Sequence, residues 1–180
     1  MTRGTFELRS WLLGRQEEIS RQWRAGIRVR EDRRGEDSDG ILGFFLQSLV
    51  FLLPASLGED RDLGEEVWHQ ATHLYGSFAL QRGLAAGEVV EEFQLLREVI
   101  IKLLLDVPPG DWGGRNFRRD LMVLNRSVDA GVVRASVAYV DDLFFAHLQG
   151  SGVPDGVTAD VEEEIHRQLV AFRRELEGSD

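Results

Sequence analysis

The 180-residue chain contains no cysteine. That absence excludes a disulfide framework, thiolate zinc sites and thiol nucleophiles. Basic charge is in deficit, with 21 Lys and Arg against 31 Asp and Glu and a formal net charge of −10. General nucleic-acid binding needs a net basic surface against phosphate, so that class is set aside. Proline is scarce, and its 4 copies (Pro54, Pro108, Pro109 and Pro154) fall where helices must stop. No stretch alternates apolar and polar residues as a half-buried strand would. The longest apolar run, Ile41–Leu53, is shorter than the roughly 20 residues a bilayer crossing takes. The N-terminus carries charge without a following apolar segment, so no secretory signal is read and a cytoplasmic location is expected. No G-x-S-x-G, P-loop or G-x-G-x-x-G motif occurs.

What is present is helical periodicity. Residues 5–30 read as one helix with Leu8, Trp11, Leu12, Ile19 and Trp23 on a broad face. A polar loop follows at 31–40, and then the nearly all-round apolar segment Ile41–Leu53, which belongs at the centre of a bundle. Arginines 15, 21, 24, 28, 30, 33 and 34 crowd this part of the chain. They read as a solvated face and a charged loop rather than as a phosphate site. Residues 63–105 read as two helices joined by a tight turn. Leu63, Val67, Ala71, Leu74 and Phe78 mark the first, and Val89, Phe93, Leu96, Ile100 and Leu103 the second. Gly83 stands where a helix closes in the left-handed conformation, with Leu84 as the apolar partner of that cap. After the break at 106–115, a long pattern runs over 116–148 through Leu121, Leu124, Val128, Ala135, Tyr139 and Leu143. Gly131 lies inside it, as a site of close packing or of a bend. The fold class is all-α. The expected division is a helical body over 1–149 and, over 150–180, a linker with a C-terminal amphipathic helix. Asp160 and Glu163 read as the capping pair of that last helix.

The candidate functional residues sit on the 63–105 hairpin. His69 and His73 are four residues apart, a spacing that turns both imidazoles to one side. Stepping about 100° per residue from Val67 puts them at roughly 200° and 240°, away from the apolar stripe. No Glu sits between them in the H-E-x-x-H manner and no third ligand stands out, so exposed or interface histidines are weighed against a metal, and no metal is assigned. Glu92 and Arg97 flank the apolar stripe of the second helix, as members of a structural ion pair, Arg97 with Glu92 or with an acid on another helix, or as ligand groups. Trp68 and Tyr75, with Trp11, Trp23, Phe78, Phe93 and Tyr139, are either plain core or the lining of a ligand cavity.

His73, Gly83-Leu84, Glu92-Phe93 and Leu95-Leu96-Arg97 resemble the N-terminal sensor domain of RsbR-type stressosome proteins and bacterial sensor histidine kinases. Ala85 stands where that family often has a Ser cap, and Ser77 lies near the family's Arg. The resemblance implies a globin-like helical bundle, usually without haem. It implies a non-enzymatic, signal-sensing homodimer that relays a ligand or partner signal through helix packing to a downstream protein or output domain. By their spacing and positions, His73, His69, Trp68, Tyr75, Glu92 and Arg97 are the candidate ligand-binding residues. The alternative reading is a haem- or other cofactor-binding protein using His69 or His73.

Overall fold

Gly14 divides the first expected helix in two. In a computed structural model describing residues 3–31, 39–108, 115–153 and 156–178, α1 spans Arg3–Leu13 and α2 spans Gln16–Glu31. The Gly14 amide donates to the Ser10 carbonyl and the Arg15 amide to the Leu12 carbonyl, both at 3.0 Å, which closes α1 before α2 begins. Arg33 and Arg34 of the basic cluster lie outside the described residues. Farther along α2, Arg24 and Arg28 both close on Asp39, the first residue of α3 (Asp39–Leu52). The carboxyl of Asp39 is held below its usual range chiefly by the hydrogen bonds from Arg28 and Arg24. Part of the basic cluster is therefore engaged within the chain.

α3 is buried along most of its length, through Ile41, Leu42, Phe45, Leu46, Leu49, Val50 and Leu52. Pro54 does not end the apolar segment. It is taken into a 3-10 turn, Leu53–Leu57, whose first residues need no amide donor. The helical run Asp39–Leu57 is then 19 residues, long and apolar enough to cross a bilayer by length and composition, and 72% of its most apolar stretch is buried inside the bundle.

α4 (Arg61–Gln81) and α5 (Ala86–Asp106) form the expected hairpin. Gly83 has a φ of 74°. The Leu84 amide donates to the Ala79 carbonyl at 3.1 Å and the Gly83 amide to the Leu80 carbonyl at 2.9 Å. These are the two bonds of a Schellman closure, and Leu84 is buried beside it. Ala85 has no side-chain oxygen, so only half of a capping box forms: its amide donates to Glu88 Oε2 at 2.6 Å.

α6 runs from Arg115 to Leu148, 34 residues, and α7 from Ala159 to Glu177. The cap of α7 is Thr158, whose Oγ1 accepts from the Val161 amide; Asp160 lies inside the first turn instead of forming the expected capping pair. The described elements are all helical.

α4 lies at the centre, against α3, the 3-10 turn, α6 and α7, while α5 packs on α2 and α6. The α4–α6 approach is close because it is made at small residues. A Cβ on Gly76 would stand 2.0 Å from the Ala135 carbonyl oxygen, and one on Gly131 would stand 3.0 Å from both the Trp68 ring and the Thr72 methyl. Of the two roles open to Gly131, the structure shows close packing. The face of α7 is covered by its own chain: Ile165 and Leu169 are buried, with Val161, Phe172 and Leu176 packed against the core.

Candidate functional site

The stripe on α4 is wider than Leu63, Val67, Ala71, Leu74 and Phe78. Its buried face is Val67, Trp68, Ala71, Thr72, Tyr75, Phe78 and Ala79. Leu74 moves to the margin, and the side of α4 beyond it opens into a groove against α6 and α7. The groove has a volume of about 570 Å³ and is lined by Glu66, His69, Gln70, His73, Leu74, Ser77, Arg134, Gln168 and Phe172. Its floor is the outward face of α4, where 66, 69, 70, 73 and 77 recur at helical spacing. Arg134 comes from α6, and Gln168 and Phe172 from α7.

The groove is open and of mixed polarity. His69 is half-buried and His73 exposed, as the angular reading of the sequence anticipates. Gln70 Nε2 donates to Glu66 Oε1 at 2.8 Å, which leaves the Glu66 carboxylate partly engaged along its own helix. Among the described residues no group of three or more His, Asp or Glu side chains could hold a metal ion. The groove offers one guanidinium, one carboxylate already engaged by Gln70, two imidazoles, amides and a hydroxyl around an apolar wall. That set suits a small polar or anionic molecule.

The other four candidate residues lie elsewhere. Trp68 is fully buried and donates from Nε1 to the Ser127 carbonyl at 2.6 Å. Ser127 Oγ in turn donates to Ser56 Oγ at 2.9 Å, tying the 3-10 turn to α6. Tyr75 and Glu92 belong to a buried polar cluster at the closed end of the α4–α5 hairpin. Tyr75 Oη donates to Glu92 Oε2 at 2.6 Å, and Arg82 Nη2 donates to Glu92 Oε1 at 2.9 Å. The side chains of Arg82 and Glu92 are only 2% and 7% exposed. Trp23 of α2 donates to the backbone carbonyl of the same Glu92 at 2.7 Å. Trp23, Phe45, Phe78 and Phe93 surround Tyr75 with ring centroids 5.0–6.4 Å away. Burial pushes the Tyr75 hydroxyl well above its ordinary value, and the Glu92 charge adds to the rise. It therefore keeps the proton that it donates.

Glu92 and Arg97 do not pair with each other; of the two partners open to Arg97, the structure shows the acid on another helix. Glu92 takes Arg82, while Arg97 reaches across to Asp129 of α6, where the two side chains are 33% and 63% exposed. The six candidates thus separate into the groove (His69, His73), the core (Trp68, Tyr75, Glu92) and the α5–α6 surface (Arg97). Residues that sequence reasoning passed over complete the first two groups: Arg82 in the core, and Glu66, Gln70, Ser77, Arg134 and Gln168 in the groove. A signal for Arg82 was available, since it directly precedes the closing Gly83, where a cation meets the negative end of α4. No comparable signal marks Arg134 or Gln168, which reach the groove from distant parts of the chain.

No protein-family model, curated protein or solved structure matches the chain.

Proposed function

We propose that the chain is a non-enzymatic, cytoplasmic signal-sensing domain, of the globin-like RsbR type, that works as a homodimer. A small polar or anionic molecule, or a partner's side chain, occupies the groove and shifts the packing of α4 against α6. The paired chains pass that shift to a downstream signalling protein or output domain. The observation that carries this reading is where the groove lies. His69, His73 and Ser77 on one wall belong to α4 and Arg134 on another to α6. These are the two helices that meet with almost no clearance at Gly76 and Ala135. A ligand touching both walls has differential contact with any two arrangements of that helix pair, which is what a population shift requires.

The family likeness rests on the hairpin residues Gly83-Leu84, Glu92-Phe93 and Leu95-Leu96-Arg97. Several are structural here: Gly83 and Leu84 close α4, and Glu92 anchors the buried cluster. The groove is a poor match for haem, which takes an apolar slot, because among the described residues that line it only Leu74 and Phe172 have wholly apolar side chains.

Thermal-shift measurements against a panel of small carboxylates, phosphates and amino acids test the reading. At least one compound should stabilise the protein, and His73→Ala should abolish that shift while leaving the unliganded melting temperature within about 2 °C. A Soret band in the purified protein that disappears in His73→Ala would overturn the reading in favour of haem.

A further inference from the structure

α6 carries a second apolar face that its own chain leaves uncovered. Val133, Val140, Phe144 and Leu148 are 60%, 53%, 57% and 64% exposed, and Val137, Leu143 and Phe145 are exposed with them. Setting Val133 at 0° and stepping about 100° per residue puts Val137, Val140 and Phe144 within about 40° of it. They form a straight stripe on the side of α6 away from the core residues Leu124, Val128, Ala135 and Tyr139. The last turns of α6 are exposed nearly all round. Together these side chains present on the order of 600 Å², at the top of the range for the largest patch on a monomer. It approaches the roughly 800 Å² per partner of a standard interface.

We infer that this stripe is the seat of a second copy of the chain, with the two α6 helices antiparallel about a twofold axis near Ala138–Tyr139. In that register Val137 of one copy meets Val140 of the other, and Val133 meets Phe144. Charge selects the direction. Arg134 and Asp141 lie on the same flank of the stripe, two helical turns apart, and same-flank residues face one another across an antiparallel helix pair. Arg134 of each copy therefore meets Asp141 of the other, twice by symmetry. Among the described residues neither makes an ion pair within its own chain. A parallel pair would instead set Asp129 opposite Arg134, and Asp129 is already engaged by Arg97. The inference deepens the homodimer part of the proposed function and rests on it.

Sedimentation velocity on the full chain across a concentration series is the test. The wild type should reach twice the chain mass. Arg134→Glu and Asp141→Arg should each weaken the dimer by at least about tenfold, and combining them should restore most of the affinity. Because the chain has no cysteine, V133C/F144C should oxidise to a covalent dimer while V133C alone does not. A monomer at every concentration overturns both this interface and the homodimer reading. A dimer indifferent to both charge reversals overturns the interface alone and leaves the homodimer reading standing. Rapid cross-linking by V133C alone overturns the antiparallel direction.

Discussion

Replacing Glu92 by Gln tests the central packing argument. The Glu92 carboxylate accepts from Tyr75 Oη at 2.6 Å and from Arg82 Nη2 at 2.9 Å, in surroundings almost closed to water. Glutamine keeps the shape but removes the charge that Arg82 pairs with, and its amide nitrogen points a donor at groups that are themselves donors. Breaking a buried pair from one side costs about 3–5 kcal/mol, because it leaves a buried charge without its counter-ion. A domain of this size holds only about 5–15 kcal/mol in all, so E92Q should move a urea midpoint by a large fraction of its value. Removing the pair altogether is a different perturbation. Arg82→Met with Glu92→Leu deletes both charges but leaves the Tyr75 hydroxyl buried with no acceptor, a cost of about 1–3 kcal/mol. Adding Tyr75→Phe removes that hydroxyl, and the triple variant should recover to within about 1–2 kcal/mol of wild type. Urea melts followed by far-UV circular dichroism, with linear extrapolation, give all three values. An E92Q loss below about 1 kcal/mol, or a triple variant less stable than E92Q, would refute the reasoning.

Other perturbations follow from the same geometry. Gly76→Ala should destabilise by about 3 kcal/mol or more, since its Cβ would stand 2.0 Å from the Ala135 carbonyl oxygen and backbone must move to admit it; a thermal melt within 2 °C of wild type, about 1 kcal/mol or less, would contradict it. Tyr75 is raised above its ordinary 10.0 by burial and by Glu92. The unfolded chain therefore ionises first, and stability is full below pH about 10 and falls as pH rises from there toward the raised value. Tyr75→Phe should remove that component of alkaline unfolding, which denaturant melts at pH 9 and pH 11 would resolve. Arg97→Met should cost under about 1 kcal/mol, because the Arg97–Asp129 pair is substantially solvated; a loss above about 2 kcal/mol would mean the pair is tighter than its exposure implies.

The helical pattern of this chain is easy to read because its helices are long and their breaks are chemically explicit. Pro-Pro-Gly, Gly83 and the glycine-rich run near 150 each mark an end, and the all-α class and the Gly83 closure follow from them. Gly14 is harder, because the apolar pattern continues across it on both sides and periodicity alone gives one helix. Pro54 is harder in the other direction: a stop for an α-helix is an acceptable first residue for a 3-10 turn. Side-chain partners are less legible. The position of Glu92 at the margin of an apolar stripe says that it needs a cation. Only the turn at Gly83, which brings Glu92 back beside the end of α4, says that the cation is Arg82, ten residues earlier, instead of Arg97, five residues later.

α6 shows why the candidate site was the least legible part. The recurrence Leu121, Leu124, Val128, Ala135 suits a helix pairing with another molecule, but those positions face the chain's own core. A helix apolar on two faces gives two overlapping stripes, and sequence spacing cannot say which is inside. Small residues decide it. Gly131 and Ala135 sit on one face, where α4 must approach closely, and that face has to be the buried one. The opposite face keeps large side chains, Val137, Val140 and Phe144, which nothing among the described residues covers. Between the two faces lies Arg134, which reaches the α4–α7 groove on one side and borders the exposed stripe on the other. The α6 segment 131–144 thus places tight packing, a polar groove and an uncovered apolar surface within four helical turns. A displacement of α6 against Gly76 would alter all three together.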